Sequence, residues 1–569
     1  MLNKYCAYDT YTRRFQQRTV FSALGMVLSI SVFAAPAPDA GSQLQQIPAA
    51  PVLQPAAPQI HIEQGNTAAS GRTDSAKILV KSLHISGTHV YSEAQLIALT
   101  GFKPGSEMTL SDLRGMAAKI AAYYHQNGYF LTQAYVPAQD IQGGAVTIAV
   151  IEGQYGKVSL QNHSHLSNSL ANGYLNGLNK GSTVATAPLE NRLLLLSDLP
   201  GVEVKSTLIP GASVGTTDLI VNVTPGQAVT GSVDADNEGN RYTGKNRLGA
   251  TVNINNLAGR GDVATLRALT SDAGLNYGRG SYQTQFGRAR VGLAYTDMEY
   301  WLGREFAPLK AHGTARIASL YGSYPLIRSR SNNLYGQIDF DTKRFRDVTD
   351  ATATINDKQV NVVMTSINGD HRDNFGGGGI SDYSLTWTDG SLNIQSPDVR
   401  ATDAATAQTN GHYDKLGFSA LRLQSLTATT SLYVAINGQF ASSNLDTSEK
   451  MELGGANAVR AYPEGEDYAD EGYVLNLEVR HPLPPIAGLP GQMQWIGFID
   501  TGTVNLNKSP WVAGQDNRRT LSGLGIGINW MDNNNFVVKA YLARKLGNAV
   551  ATSAPDSLTR FWVQGVKYF

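Results

Sequence analysis

From residue 77 onward, apolar and polar positions follow two rhythms that change over near residue 227. Residues 78–87 alternate into a glycine turn, the period-two signature of a strand. A helix over 92–100 follows, with Ser92 and Gln95 at capping-box spacing. A longer helix over 111–126 carries Leu113, Ala117, Ile120 and Tyr124 on one stripe, which must pack against something. Asn127-Gly128 stops it, and strands over 131–137 and 146–152 complete the unit. The same order then recurs. A strand at 158–161 precedes helices over 166–178 and 189–199, the second holding leucines 193–196, and strands over 203–209 and 219–223. Two consecutive copies of one small α+β unit, 77–153 and 154–226, make a tandem array.

Beyond 226 helical periodicity disappears. Alternating segments include 230–236, 247–253, 263–268, 282–286, 290–295, 315–324, 333–340, 382–388, 416–424, 431–440, 473–479, 493–499, 523–530, 536–542 and 559–569. Residues 227–569 have room for sixteen antiparallel strands at about 21 residues each, a strand of about 10 residues with its connection. The connections are unequal: many are a few residues, while 347–358 and 396–412 read as long polar loops. Short turns at one end and long loops at the other suit a transmembrane β-barrel. In the last segment Phe561, Val563 and Phe569 keep the alternation, and Gly565 and Lys567 interrupt it.

The beginning of the chain changes the picture. Lys4, Arg13, Arg14 and Arg18 form a basic region, residues 20–33 an apolar one, and Ala34-Ala35-Pro36 offers small residues for cleavage. Residues 1–35 therefore read as an export signal, too short in its apolar part to span a bilayer as a helix. No run of 18 apolar residues follows, and a closed barrel needs none, because its backbone groups pair between strands. Residues 36–76 are rich in Pro, Ala, Gln and Ser, a linker composition. Residues 39–47 have the length for one short helix there, opposed by Gly41 and the surrounding prolines. The single cysteine, Cys6, lies inside the signal, which leaves no disulfide or thiol chemistry to the mature chain.

Composition excludes several function classes. Lys+Arg and Asp+Glu both number 46, so net charge gives no case for a nucleic-acid partner. Gly239, Gly244 and Lys245 mimic a phosphate loop, but they link two alternating segments rather than a strand and a helix, so no nucleotide site is expected. Asp234-Ala-Asp236-Asn-Glu-Gly239 opens like a calcium loop, yet Lys245 stands where the twelfth-position Glu is required. The histidines show no zinc spacing, and no Gly-x-Ser-x-Gly elbow lies between strand and helix. No catalytic residues, metal or cofactor are assigned, and no enzymatic activity is expected.

One pair of motifs remains. Val459-Arg460-Ala461-Tyr462 lies in a turn-rich loop, and Phe498-Ile499-Asp500-Thr501-Gly502 lies forty residues on in an alternating strand. A charged loop tip that folds into a polar barrel lumen could set its guanidinium fork on a wall carboxylate, a strong, directional and breakable contact.

In order and spacing, these motifs and the two preceding α+β units resemble the outer-membrane transporters of two-partner secretion. The α+β units are similar to periplasmic POTRA domains, the second through its leucine run into Ser197-Asp198-Leu199-Pro200-Gly201-Val202. Asp236-Asn237-Glu238-Gly239 and the turn at 256–262 extend the likeness, which covers 77–569. The resemblance implies a barrel in the outer membrane, facing its lipid, with POTRA domains in the periplasm. It implies a pore exporting a large β-helical exoprotein of the haemolysin or adhesin type, which docks on those domains. It also implies an inward-folded loop latched by Arg460 to Asp500, with Val459, Ala461 and Tyr462 in the loop motif and Phe498 and Gly502 in the strand motif. Ala461 stands where such loops usually have glycine; a left-handed backbone there would cost alanine about 1 kcal/mol or more. The alternatives are an assembly factor that inserts outer-membrane proteins, which typically has more periplasmic modules, and a passive porin, which has none.

Overall fold

The computed structural model describes residues 37–52, 59–62, 76–512, 514 and 516–569. The expected signal at 1–35 lies outside the described residues. The chain divides into two compact units. One holds residues 59–62, 76–227 and 258–261; the other holds 37–52, 228–257 and 262 onward.

In the first unit, helix Leu110–Gln126 starts where Thr109 and Asp112 cap each other reciprocally, side chain to backbone. It stops at Asn127, before Gly128 with φ 88°. Its Leu113, Ala117, Ile120 and Tyr124 are buried, together with Val146 and Ile148 of strand Ala145–Ile151. That strand runs parallel to Ser82–Ser86 and antiparallel to Gln133–Tyr135. Helix Glu93–Thr100 has Ser92 as its cap, the Ser92 hydroxyl accepting from the Gln95 N–H at 3.3 Å. The buried Glu152 carboxylate accepts from the Tyr124 hydroxyl at 2.8 Å and from the His89 and Val90 N–H groups at 2.7 and 2.8 Å. Burial first, and this carboxylate second, push the Tyr124 phenol far above its ordinary range.

A second module of the same order follows. Strand Gln154–Asn162, helices Asn168–Leu175 and Thr186–Ser197, and strands Val202–Pro210 and Thr216–Pro225 enclose their own core. Leucines 193–196 are all buried, which requires apolar cover on more than one side of that helix. Strand Gln59–Ile62, from the stretch read as linker, adds in parallel to the edge of Val202–Pro210.

The second unit is a closed antiparallel barrel of sixteen strands, from Val229–Asp236 to Thr559–Tyr568. Each strand pairs with its neighbours in sequence, and the first closes on the last from Ser232↔Tyr568 to Asp236↔Gln564. Leu293, Tyr295, Phe340, Trp387 and Ile526 are 48–60% exposed on alternate positions facing outward. The intervening positions carry buried polar groups such as Asp339, Asp341, Lys343 and Asp500. An apolar exterior around a polar interior is the pattern of a barrel in lipid. No helix among the described residues is long and apolar enough to cross a membrane.

Two expectations are corrected. Residues 347–358 are no loop: strands Asn332–Thr349 and Thr354–Asp373 run through them, joined by the short 3-10 turn Asp350–Thr352. Their polarity misleads because a ladder's hydrogen bonds are backbone bonds, and these strands extend past the apolar band. The stretch read as linker is not all without core material, for Ala40–Gln45 form a helix in which Ala40 to Leu44 are buried. The other long connection, 396–412, contains helix Pro397–Ala405. Lys567, which breaks the alternation of the last strand, points outward near the strand end and meets the turn residue Asn535.

Candidate functional site

Strand Gln492–Asn505 turns Phe498, Asp500 and Gly502 inward and leaves Ile499 facing out, 51% exposed. Against this wall sits the tip of the connection between strands Ser431–Ala441 and Glu471–Pro482. Arg460 donates to Asp500 from Nε at 2.8 Å, from Nη2 at 2.7 Å and from its backbone N–H at 3.1 Å. Its remaining fork nitrogen, Nη1, donates to Glu478 at 2.7 Å. The guanidinium carbon lies 3.6 Å from the Phe498 ring centroid, and Tyr541 stands behind at 5.0 Å. Arg460 is 4% and Asp500 0% exposed, so water screens the pair little. Burial opposes the guanidinium's charge, but Asp500 and then Glu478 more than offset it, and Arg460 is held protonated.

The neighbours explain how so much charge is tolerated inside. The Asn476 side-chain amide donates to Asp500 at 2.7 Å and to the Ala458 carbonyl at 2.9 Å. Arg480 neutralises the far side of Glu478 at 2.6 Å. Trp562, on the last strand, donates from Nε1 to the Arg460 carbonyl at 2.7 Å. The wall is smooth where the tip touches it: a Cβ at Gly502 would meet Leu453, and one at Gly523 would meet the Ala461 methyl at 2.4 Å. Ala461 keeps a negative φ, so the strain foreseen for alanine does not arise; among the tip's residues Gly455, Gly465 and Asp467 take the left-handed conformations. Val459 and Tyr462 are fully buried, and the Tyr462 hydroxyl donates to the Ala549 carbonyl at 3.2 Å.

Further anchors fix the rest of the loop. Glu466, fully buried, accepts from the Thr552 and Ser553 N–H groups at 2.8 Å and pairs with Arg519 at 3.1 Å. Wall lysines 343 and 415 both reach Glu449 at 2.7 Å. Lys358 reaches Asp446 at 2.9 Å and Asp39 at 3.2 Å. Asp39 is also the cap of helix Ala40–Gln45, whose first N–H donates to Asp347 at 2.7 Å. Within that helix Gln43 accepts from Thr243 at 2.6 Å, and beyond it Gln46 donates to Tyr468 at 2.7 Å while its carbonyl accepts from Arg247. Gly41 lies so near Ser448 that a Cβ would stand 3.0 Å from its backbone nitrogen. Loop and helix thus fill one stretch of the lumen together.

All seven residues singled out in the sequence gather at this tip. Glu478, Asn476 and Trp562 were missed. The run Asn476-Leu-Glu478-Val-Arg480, polar at every second position between apolar neighbours, was the available signal for the first two.

The family model for haemolysin secretion/activation proteins ShlB, FhaC and HecB matches residues 215–530, more than half of the chain, and that for ShlB-type POTRA domains matches 78–153. The chain belongs to the ShlB/FhaC/HecB family. This member is similar to the heme/hemopexin transporter protein HuxB of Haemophilus influenzae strain 86-028NP, 28% identical across 96% of this chain and 98% of that one. The outer membrane transporter CdiB of Dickeya dadantii is 22% identical over 69% of this chain and 70% of its own length. In fold it matches CdiB from Escherichia coli with a TM-score of 0.69, at 18% identity, over 89% of this chain and 93% of that one. The ShlB/FhaC/HecB-type chain is accordingly an outer-membrane transporter of two-partner secretion that exports a partner protein, with its POTRA region in the periplasm. Members of the family are transporters rather than enzymes.

Proposed function

We propose that this transporter passes one large exoprotein through the barrel lumen, and that the loop carrying Arg460, with helix Ala40–Gln45, is the resting obstruction that must move. The observation that carries the reading is the Arg460 fork shared between Asp500 and Glu478 at 2.7 Å. Such contacts are strong when made and are lost in discrete steps when one partner shifts. The client is a β-helical adhesin or haemolysin arriving unfolded in the periplasm. It docks on the POTRA modules by adding a strand to an open edge, which reads backbone more than side chains. Strand Gln59–Ile62, added to the second module's edge, supports the view that this edge accepts such additions. Because HuxB is named for heme and hemopexin, a client that engages haem or its carrier is the specific candidate. Folding of the client outside the cell makes passage irreversible without a nucleotide.

The test is secretion of a co-expressed client by Arg460→Ala and Asp500→Ala variants whose barrels still fold, judged by heat-dependent gel mobility. Both should lose most secretion. Wild-type secretion by both would remove the role given to the contact. Exchanging the two charges will not restore it, because the carboxylate introduced at position 460 would face Glu478.

A further inference from the structure

Many carboxylates of the lumen are ion-paired. Asp234, Asp236, Asp446, Glu449, Glu478 and Asp500 each face a lysine or arginine at 2.7–2.9 Å. Strands Asn332–Thr349, Thr354–Asp373 and Gly379–Ile394 depart from this rule. On these three strands Ile338, Phe340, Ile367, Tyr383 and Leu385 face lipid at 39–48% exposure, so Asp341, Asp370 and Asp382, offset by odd steps, face inward. None of these three makes an ion pair within 4.0 Å among the described residues.

Asp341 is 4% exposed, and its Oδ1 has no hydrogen-bond partner. Asp370 accepts from Asn333 at 2.9 Å and stands directly across the ladder from Asp382, a like-charge pairing that works against the sheet. Arg372, the cation that acts on Asp382, does so without forming an ion pair and is itself exposed at the strand end. The row descends from beside Lys343, which holds the loop residue Glu449, toward the barrel end at which the first strand begins.

We infer that Asp341, Asp370 and Asp382 form a track for the lysine and arginine side chains of the unfolded client on its way to the plug. The track rests on the reading that a polypeptide crosses this lumen. Carboxylates along one wall, Asp370 and Asp382 part-exposed and Asp341 deeper, would hold a cationic segment at successive points, each contact released as the chain advances. Unpaired carboxylates suit this duty, for a resident partner would have to be displaced at every step.

The test is ionic current through the purified full-length protein in a planar bilayer. A lysine-rich peptide of about 20 residues is added on the side of the POTRA domains, and an acidic peptide of equal length serves as control. The lysine-rich peptide should block wild-type openings, and a triple variant Asp341→Asn, Asp370→Asn, Asp382→Asn should need about tenfold more peptide for the same block, the order expected from losing two part-exposed pairs and one deeper one. The variant's single-channel conductance shows that its pore is intact. Equal block of both proteins, or equal block by the acidic peptide, overturns the track. Secretion by the Arg460 and Asp500 variants tests the pore reading separately, since those residues lie outside the row.

Discussion

At position 461 a methyl group sits where a bare backbone would also fit, and the opposite wall residue, Gly523, has given up its own side chain to make room. Gly523→Ala should therefore unseat the loop tip at a cost of about 1–3 kcal/mol, the usual range for overpacking. Ala461→Gly in the same chain should recover most of the loss, whereas Ala461→Gly alone should be mild because no left-handed backbone is involved. Protease sensitivity of the loop in detergent-purified protein measures all three. For the charges the expected order is different. Arg460→Ala leaves Asp500 buried without its cation and Glu478 with Arg480 alone, and such truncations cost about 3–5 kcal/mol. Arg460→Lys keeps the charge but cannot fork between two carboxylates, so secretion should fall between wild type and alanine. Equal secretion by Lys and Arg at 460 would show that only the charge matters.

Helix Ala40–Gln45 is too short to stand alone, since nucleating a first turn is unfavourable and six residues repay little of it. It forms because Asp39 caps it, Ser42 returns the cap, and Lys358 and Asp347 hold its start from the wall. Asp39→Ala removes both the cap, about 1 kcal/mol, and the ion pair to Lys358. The helix should leave the lumen more often, and the fraction of time that channels are open in a planar bilayer should rise; an unchanged open fraction would mean that the helix does not limit the pore. In the POTRA region, by contrast, the 110–126 helix was legible because its stripe, its stop and its length agree locally. The start was placed one residue late, at 111, since the Thr109–Asp112 reciprocal cap went unread.

For the whole molecule, the decisive arrangement is an apolar band outside a polar interior. Trp387 and Leu293, both on outward positions, should tolerate aromatic or aliphatic exchange, whereas Trp387→Arg should destabilise the barrel by about 2–4 kcal/mol if it lies near mid-bilayer, and less toward an interface. Urea-dependent refolding into lipid vesicles reads this directly. An unaffected midpoint would place position 387 outside the hydrocarbon. The strand extents were the least legible feature, as 347–358 demonstrates: lipid imposes alternation only where strands cross it, and beyond the band the ladder continues with any side chain the solvent accepts.

Alternation, helix stripes and turn residues are short-range signals, and from them the sequence by itself determined the run of barrel strands and the two preceding α+β modules, while the meeting of Arg460 with Asp500 was what the resemblance to two-partner secretion transporters implied. Only the tertiary structure decided which groups share those charges. Glu478, Asn476 and Trp562 are brought to the tip by strand register and by closure of the last strand on the first, and the helix at 40–45 exists through partners about 300 to 400 residues away in the chain. Contacts of that span leave no periodic trace, because their energy depends on where the barrel places the wall rather than on what stands next in sequence.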